Sequence, residues 1–170
     1  MNQAPSIIES PGASPSATVL VVDDDPSIVM VCQAILEQAG FAVLEADGSP
    51  AALRICTKHE GPIDVLLTDL VLPPPGFQLT SSANEFPYVH GHELAIRAAM
   101  IREGLRIVLM SGNPDKELAS HGIRRDSLPF IQKPFEKEAL IQQIQDVLQS
   151  PAPTLNVNRA KAANDVDWFG

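Results

Sequence analysis

Four polar spots carry the chemistry open to this sequence, and each closes an apolar run. Val19-Leu20-Val21-Val22 runs into Asp23-Asp24-Asp25, and Val65-Leu66-Leu67-Thr68 into Asp69. Ile107-Val108-Leu109-Met110 runs into Ser111-Gly112, and Phe130-Ile131-Gln132 into Lys133-Pro134. Magnesium takes oxygen ligands, keeps several waters and is held by one or two carboxylates plus substrate oxygens. Asp24 and Asp69 are the candidate carboxylates, with Asp23 holding a coordinated water. Asp69 is also a candidate nucleophile, since carboxylates form acyl phosphates. Lys133 suits pairing with phosphoryl oxygens, Ser111 suits a hydrogen bond to another, and Gly112 leaves room for the group to enter. Singly, each reads as an ordinary solvated residue at a strand end. Together they point to a divalent cation, Mg²⁺, and a phosphoryl group.

That reading requires elements that bring the four spots to one place. Buried parallel strands read as continuous apolar runs, and open α/β sheets bind ligands outside the carboxyl ends of their strands. Strands are predicted at Thr18–Val22, Phe41–Ala46, Ile63–Leu70, Arg106–Met110 and Pro129–Gln132. A helix is predicted from Pro26, with Ile28, Val31, Cys32, Ile35 and Leu36 at helical spacing and Gly40 ending it. Others are predicted from Ser49 to Lys58, Glu93 to Arg102, Pro114 to Ser120 and Phe135 to Leu148. The last shows Leu140, Ile141, Ile144, Val147 and Leu148 on one face. Strand and helix alternating five times imply an α/β doubly wound parallel sheet covered on both faces.

Composition bounds the function. The chain has 170 residues, enough for one domain plus tails, and 45% are hydrophobic. A net charge of -9 argues against non-specific nucleic-acid binding, which needs a basic face. Cys32 and Cys56 fall among apolar neighbours and read as buried free thiols. No signal peptide and no run near ~20 apolar residues is visible, so a cytoplasmic location without membrane contact is expected. Residues 1–17 read as a flexible arm and 150–170 as a flexible tail, ending in Trp168-Phe169-Gly170. Residues 18–149 form the expected domain, with an insertion at about 74–89 that carries Phe77, Phe86 and Tyr88. Long structureless loops within a compact domain are uncommon, and this one is expected to pack locally.

The stretches VLVVDDDPSI, LLTDLVLP, VLMSG and FIQKPF resemble the receiver domain of two-component response regulators, from about Thr18 to Gln149. The resemblance implies a flavodoxin-like (βα)5 fold with strand order 2-1-3-4-5. It implies Mg²⁺-dependent transfer of a phosphoryl group to Asp69 from a phosphohistidine on a sensor histidine kinase or a histidine phosphotransfer protein. It places Asp23 and Asp24 at the acidic metal-binding pair and the Val71 carbonyl as a backbone metal ligand. Ser111 takes the hydroxyl position, Lys133 the lysine position, Pro134 the cis-proline position and Phe130 the aromatic switch position. The chain departs from the family in two ways. The turn after the aspartate is His90-Gly91, displaced by the insertion, and Phe130 replaces the commoner tyrosine. Val71 and Asn113 occupy positions that tune dephosphorylation in the family. An apolar Val71 offers no group to orient an attacking water, which points to a longer-lived phosphoryl state.

Three functions remain in view. The leading expectation is a stand-alone receiver, catalysing at most its own phosphorylation and dephosphorylation. About twenty residues after Gln149 are too few for a DNA-binding or catalytic domain, so output is expected through protein contact or phosphorelay. A haloacid-dehalogenase-like phosphohydrolase uses a similar Asp, Ser/Thr and Lys set, but needs a second Asp where this chain has Val71. A pseudo-receiver scaffold that never takes phosphate is disfavoured by the intact Asp23, Asp24, Asp69, Ser111 and Lys133 set. His90, His92 and Glu93 lack an established ligand spacing and suit a loop or helix start better than a metal site.

Overall fold

The structure, a computed structural model, describes residues 15–72, 86–124 and 128–152. Five strands form its centre: β1 (Thr18–Val22), β2 (Ala42–Ala46), β3 (Val65–Asp69), β4 (Arg106–Ser111) and β5 (Phe130–Gln132). All pair in parallel, in the order β2-β1-β3-β4-β5. The helices are α1 (Pro26–Gln38), α2 (Ser49–Lys58), α3 (Gly91–Ile101), α4 (Pro114–Ser120) and α5 (Lys137–Gln149). This is the doubly wound flavodoxin-like fold with the expected strand order.

Successive strand residues face opposite sides of a sheet, and the core divides accordingly. Leu20, Val22, Leu66, Ile107 and Leu109 pack with Leu53 of α2, Leu94 and Ala98 of α3 and Leu118 of α4. Val19, Val21, Val65, Leu67, Val108 and Met110 pack with Cys32 and Leu36 of α1 and Leu140 and Ile144 of α5. Each fully buried Leu, Ile or Val contributes about 1.5–3 kcal/mol, so the strands must stay in the register that buries both faces. That register aligns Val22 with Thr68, Asp69 with Met110, and Ser111 with Gln132. The polar spots at the ends of β1, β3, β4 and β5 therefore reach one edge of the sheet.

Local chemistry sets the helix ends. Asp25 caps α1, its carboxylate accepting from the Ser27 N–H at 2.9 Å, and Pro26 follows where no N–H is needed. Gly40 leaves the helix at φ +92°, a conformation that favours glycine. Arg102, just past α3, donates to the carbonyls of Cys56 and Gly61, each at 2.8 Å, and to that of His59. It thereby ties the end of α3 to the end of α2.

Several expectations are corrected. Val31 points outward, and Val29 takes the buried place beside Cys32 and Leu36. Ile28, Cys32, Ile35 and Leu36 pack inward as the apolar spacing suggested, so the face differs at this one position. α3 begins at Gly91 rather than Glu93, because the Gly91 N–H bonds the Leu70 carbonyl at 3.0 Å and starts the helix against β3. Ser16 and Ala17, expected in the arm, join the fold: Ser16 N–H bonds Gly40, and the Ala17 carbonyl accepts from Ala42 at 2.9 Å. Phe86 and Val89 pack against the core, and the Ser49 hydroxyl donates to the Pro87 carbonyl and accepts from the Val89 N–H. Local packing therefore holds for Phe86 and Val89 at the end of the insertion but not for Tyr88, which is exposed, while Phe77 and the Trp168-Phe169 tail lie outside the described residues.

Candidate functional site at the carboxyl edge of the sheet

The residue after β1 and the last residue of β3 face each other across the strand pair. Asp23 is 1% exposed and Asp69 8%. Lys133, just past β5, donates from Nζ to Asp23 Oδ2 at 2.9 Å and to Asp69 Oδ2 at 3.2 Å. Asp24 is exposed beside them, and oxygens of Asp23, Asp24 and Asp69 lie within 4.8 Å of one another. Asp25 takes no part in this group; it is spent on the α1 cap, and its backbone N–H donates to Asp23 Oδ1 at 2.9 Å. The Lys133-Pro134 peptide is cis.

Electrostatics at this cluster are unbalanced. Burial and the adjacent Asp23 charge push the Asp69 carboxyl up to about 6, despite the Lys133 ammonium and a Val71 N–H bond to Oδ1 at 3.3 Å. Burial works to lower the Lys133 pKa, but the Asp23 hydrogen bond and both carboxylate charges outweigh it and raise it. One ammonium therefore serves two buried carboxylates, with a third at the rim. A hard divalent cation with oxygen ligands fits this donor set, because it relieves carboxylate repulsion that a single lysine leaves in place.

The backbone beside Asp69 is shaped by Gly91. A Cβ there would sit 2.0 Å from the Asp69 carbonyl oxygen, so only glycine lets α3 start this close to β3. His90 precedes it, its Nδ1 accepting from the Leu72 N–H at 3.2 Å, and Glu93 pairs with Arg97 at 2.6 Å. These contacts match a loop and helix start.

Ser111, at the end of β4, is 1% exposed, and its hydroxyl donates to Glu117 of α4. Phe130 is half-buried against the core on the α2, α3 and α4 side. Val71 is half-buried two residues past Asp69, and Gly112 is exposed. The structure thus brings Asp23, Asp24, Asp69 and Lys133 into one cluster and turns the Ser111 hydroxyl toward α4. Sequence reasoning did not single out Glu117. Cys32 and Cys56 are free and buried, and burial together with the Asp23 charge pushes the Cys32 thiol up to about 12.

A family model described as "Response regulator receiver domain" matches residues 19–145. The chain belongs to the response regulator receiver family. It is 23% identical over 137 residues to the transcriptional regulatory protein GlrR of Escherichia coli K12, covering 81% of this chain and 27% of that protein. It is 26% identical over 135 residues to the transcriptional regulatory protein FixJ of Bradyrhizobium diazoefficiens, covering 79% and 58%. The crystal structure of a response regulator receiver protein from Sinorhizobium medicae superposes with a TM-score of 0.61 at 25% identity, covering 79% of this receiver and 95% of that chain. The receiver spans about a quarter of the length of GlrR. Receiver domains are signalling modules rather than classical enzymes, and they typically bind Mg²⁺ at an acidic pocket such as this one. Among the described residues no helix is long and apolar enough to cross a membrane.

Proposed function

We propose that this receiver accepts a phosphoryl group on Asp69 from a phosphohistidine of a sensor histidine kinase or histidine phosphotransfer protein. The observation that carries the proposal is the Asp69 carboxylate, buried at a strand end and shared with Asp23 by one lysine. An Asp69 oxygen attacks phosphorus and forms an acyl phosphate, while the P–N bond breaks and the histidine imidazole leaves as the neutral base, taking up a proton. Asp24, Asp69 and the Val71 carbonyl would hold Mg²⁺, with Asp23 in support through a water. The cation, when bound, neutralises charge on the phosphoryl oxygens and keeps Asp69 ionised. Lys133 already donates to Asp69 and passes one N–H to an incoming phosphoryl oxygen. Ser111 donates to another, and Phe130 fills the space that Ser111 leaves.

Those movements remodel the face formed by α4, β5 and α5, and a partner that prefers one form of this face reads the signal. Output is by protein contact or onward phosphoryl relay. A phosphohydrolase is disfavoured because Val71 stands where such an enzyme needs its acid. Incubation with acetyl phosphate and Mg²⁺ should label the wild type and leave Asp69→Asn unlabelled. Wild-type labelling in Asp69→Asn would refute the assignment.

A further inference from the structure

Glu117 lies outside the acidic cluster, yet it holds the hydroxyl that the phosphoryl group would need. Ser111 and Glu117 are six residues apart, joined by the turn into α4. Asn113 caps that helix: its side chain accepts from the Lys116 N–H at 3.4 Å, and its carbonyl accepts from the Glu117 N–H at 2.9 Å. The cap fixes Glu117 at the first turn of α4, over the end of β4. A serine hydroxyl has one proton to donate. Here that proton is committed to a carboxylate, and hydrogen bonds to charged acceptors are the stronger kind.

We propose that Glu117 is a positioning residue, a latch that commits the Ser111 hydroxyl to α4 until phosphorylation at Asp69 takes it away. The proposal rests on Asp69 being the phosphoacceptor. The phosphoryl oxygen and the Glu117 carboxylate then compete for one O–H. The unphosphorylated form is favoured by the Glu117 bond, and the phosphorylated form by the phosphoryl bond. Breaking the first releases the side chain that joins α4 to β4, so the same exchange couples the site to the face a partner reads. Removing the carboxylate removes one competitor. A receiver without the latch should reach the active form more readily, by roughly tenfold for one hydrogen bond to a charged group.

The test uses beryllofluoride with Mg²⁺ as the phosphoryl mimic on the full chain. Apparent affinity is measured for wild type, Glu117→Ala, Glu117→Gln, Ser111→Ala and the Ser111→Ala/Glu117→Ala double variant. The latch predicts affinity about tenfold tighter in Glu117→Ala. It predicts a smaller gain in Glu117→Gln, whose amide oxygen still accepts, and no gain from removing Glu117 once Ser111 is alanine. Equal gains in Glu117→Ala and Glu117→Gln, or the same gain in both Ser111 backgrounds, would mean that only a negative charge was removed, and would overturn the latch. Unchanged affinity in Glu117→Ala would overturn it as well. If wild type binds no beryllofluoride and takes no label on Asp69, the phosphoacceptor reading fails and the latch falls with it. Wild-type binding that Glu117→Ala leaves unmoved overturns the latch alone.

Discussion

The Asp69 carboxyl pays for its position: it is buried next to Asp23 and titrates near 6 rather than at its usual 3.8. A carboxyl whose folded pKa lies above the unfolded value keeps its proton longer in the folded state. In metal-free protein, stability should therefore fall as pH rises from about 4 to about 6, and the penalty should persist above that window. Water reaches part of the carboxyl, so the loss is set at roughly 1–2 kcal/mol rather than the full shift. Urea melts in EDTA across this range check it, and Asp69→Asn should flatten the slope and be the more stable protein at pH 7. Millimolar Mg²⁺ should raise the wild-type melting temperature at neutral pH and do little for Asp69→Asn. Lys133→Ala should keep some labelling but lose the conformational response, read by amide exchange with and without phosphodonor. At this scale the sequence was legible where a residue's place in the cluster follows from its strand end, as for Asp23, Asp69 and Lys133. The acidic triplet was legible as a candidate pair, Asp23 and Asp24, but not in which member is buried. Its division into a buried member, a rim member and a helix cap depends on the turn into α1, although Asp25-Pro26-Ser27 does carry the cap signature. Glu117 gave no signal, since its contact with Ser111 exists only once β4 turns into α4.

Elements position these residues through a few tight contacts. Gly91→Ala should destabilise the fold by about 1–3 kcal/mol, because the new Cβ would meet the Asp69 carbonyl at 2.0 Å and backbone must shift. The displaced carbonyl belongs to the proposed phosphoacceptor, so labelling should slow as well. Arg102→Ala provides the contrast. Three carbonyls at the end of α2 would lose a charged donor far from the site, at a cost of about 1–3 kcal/mol. The urea midpoint should fall while the labelling rate per folded molecule stays at the wild-type value. Apolar periodicity located α3 and α5 to within two residues at each end, since Leu94, Ala98, Leu140 and Ile144 repeat on the buried faces. In α1, where Ile28, Val29, Val31 and Cys32 are all apolar, it misplaced one position. With too many apolar residues to bury, packing against the sheet and α5 selects Val29 and leaves Val31 and Met30 outside.

Among the described residues the molecule is one sheet with helices on both faces and its polar strand ends gathered on one edge. That plan was legible because strict alternation of apolar strands and amphipathic helices admits few right-handed arrangements. The insertion was legible as a departure that packs locally, but its anchor was not, because Ser49 of α2 holds Pro87 and Val89 from far along the chain. If the sheet edge is the phosphoryl site, beryllofluoride should change amide exchange in α4 and β5 and leave α2 as it was. The most direct measurement is chemical. After reaction with acetyl phosphate and Mg²⁺, borohydride reduces an acyl phosphate to the alcohol, converting a phosphorylated aspartate to homoserine. Peptide mass spectrometry then locates it. The account predicts homoserine at position 69, dependent on Mg²⁺; homoserine at Asp23 or Asp24 instead, or at no position, would contradict it.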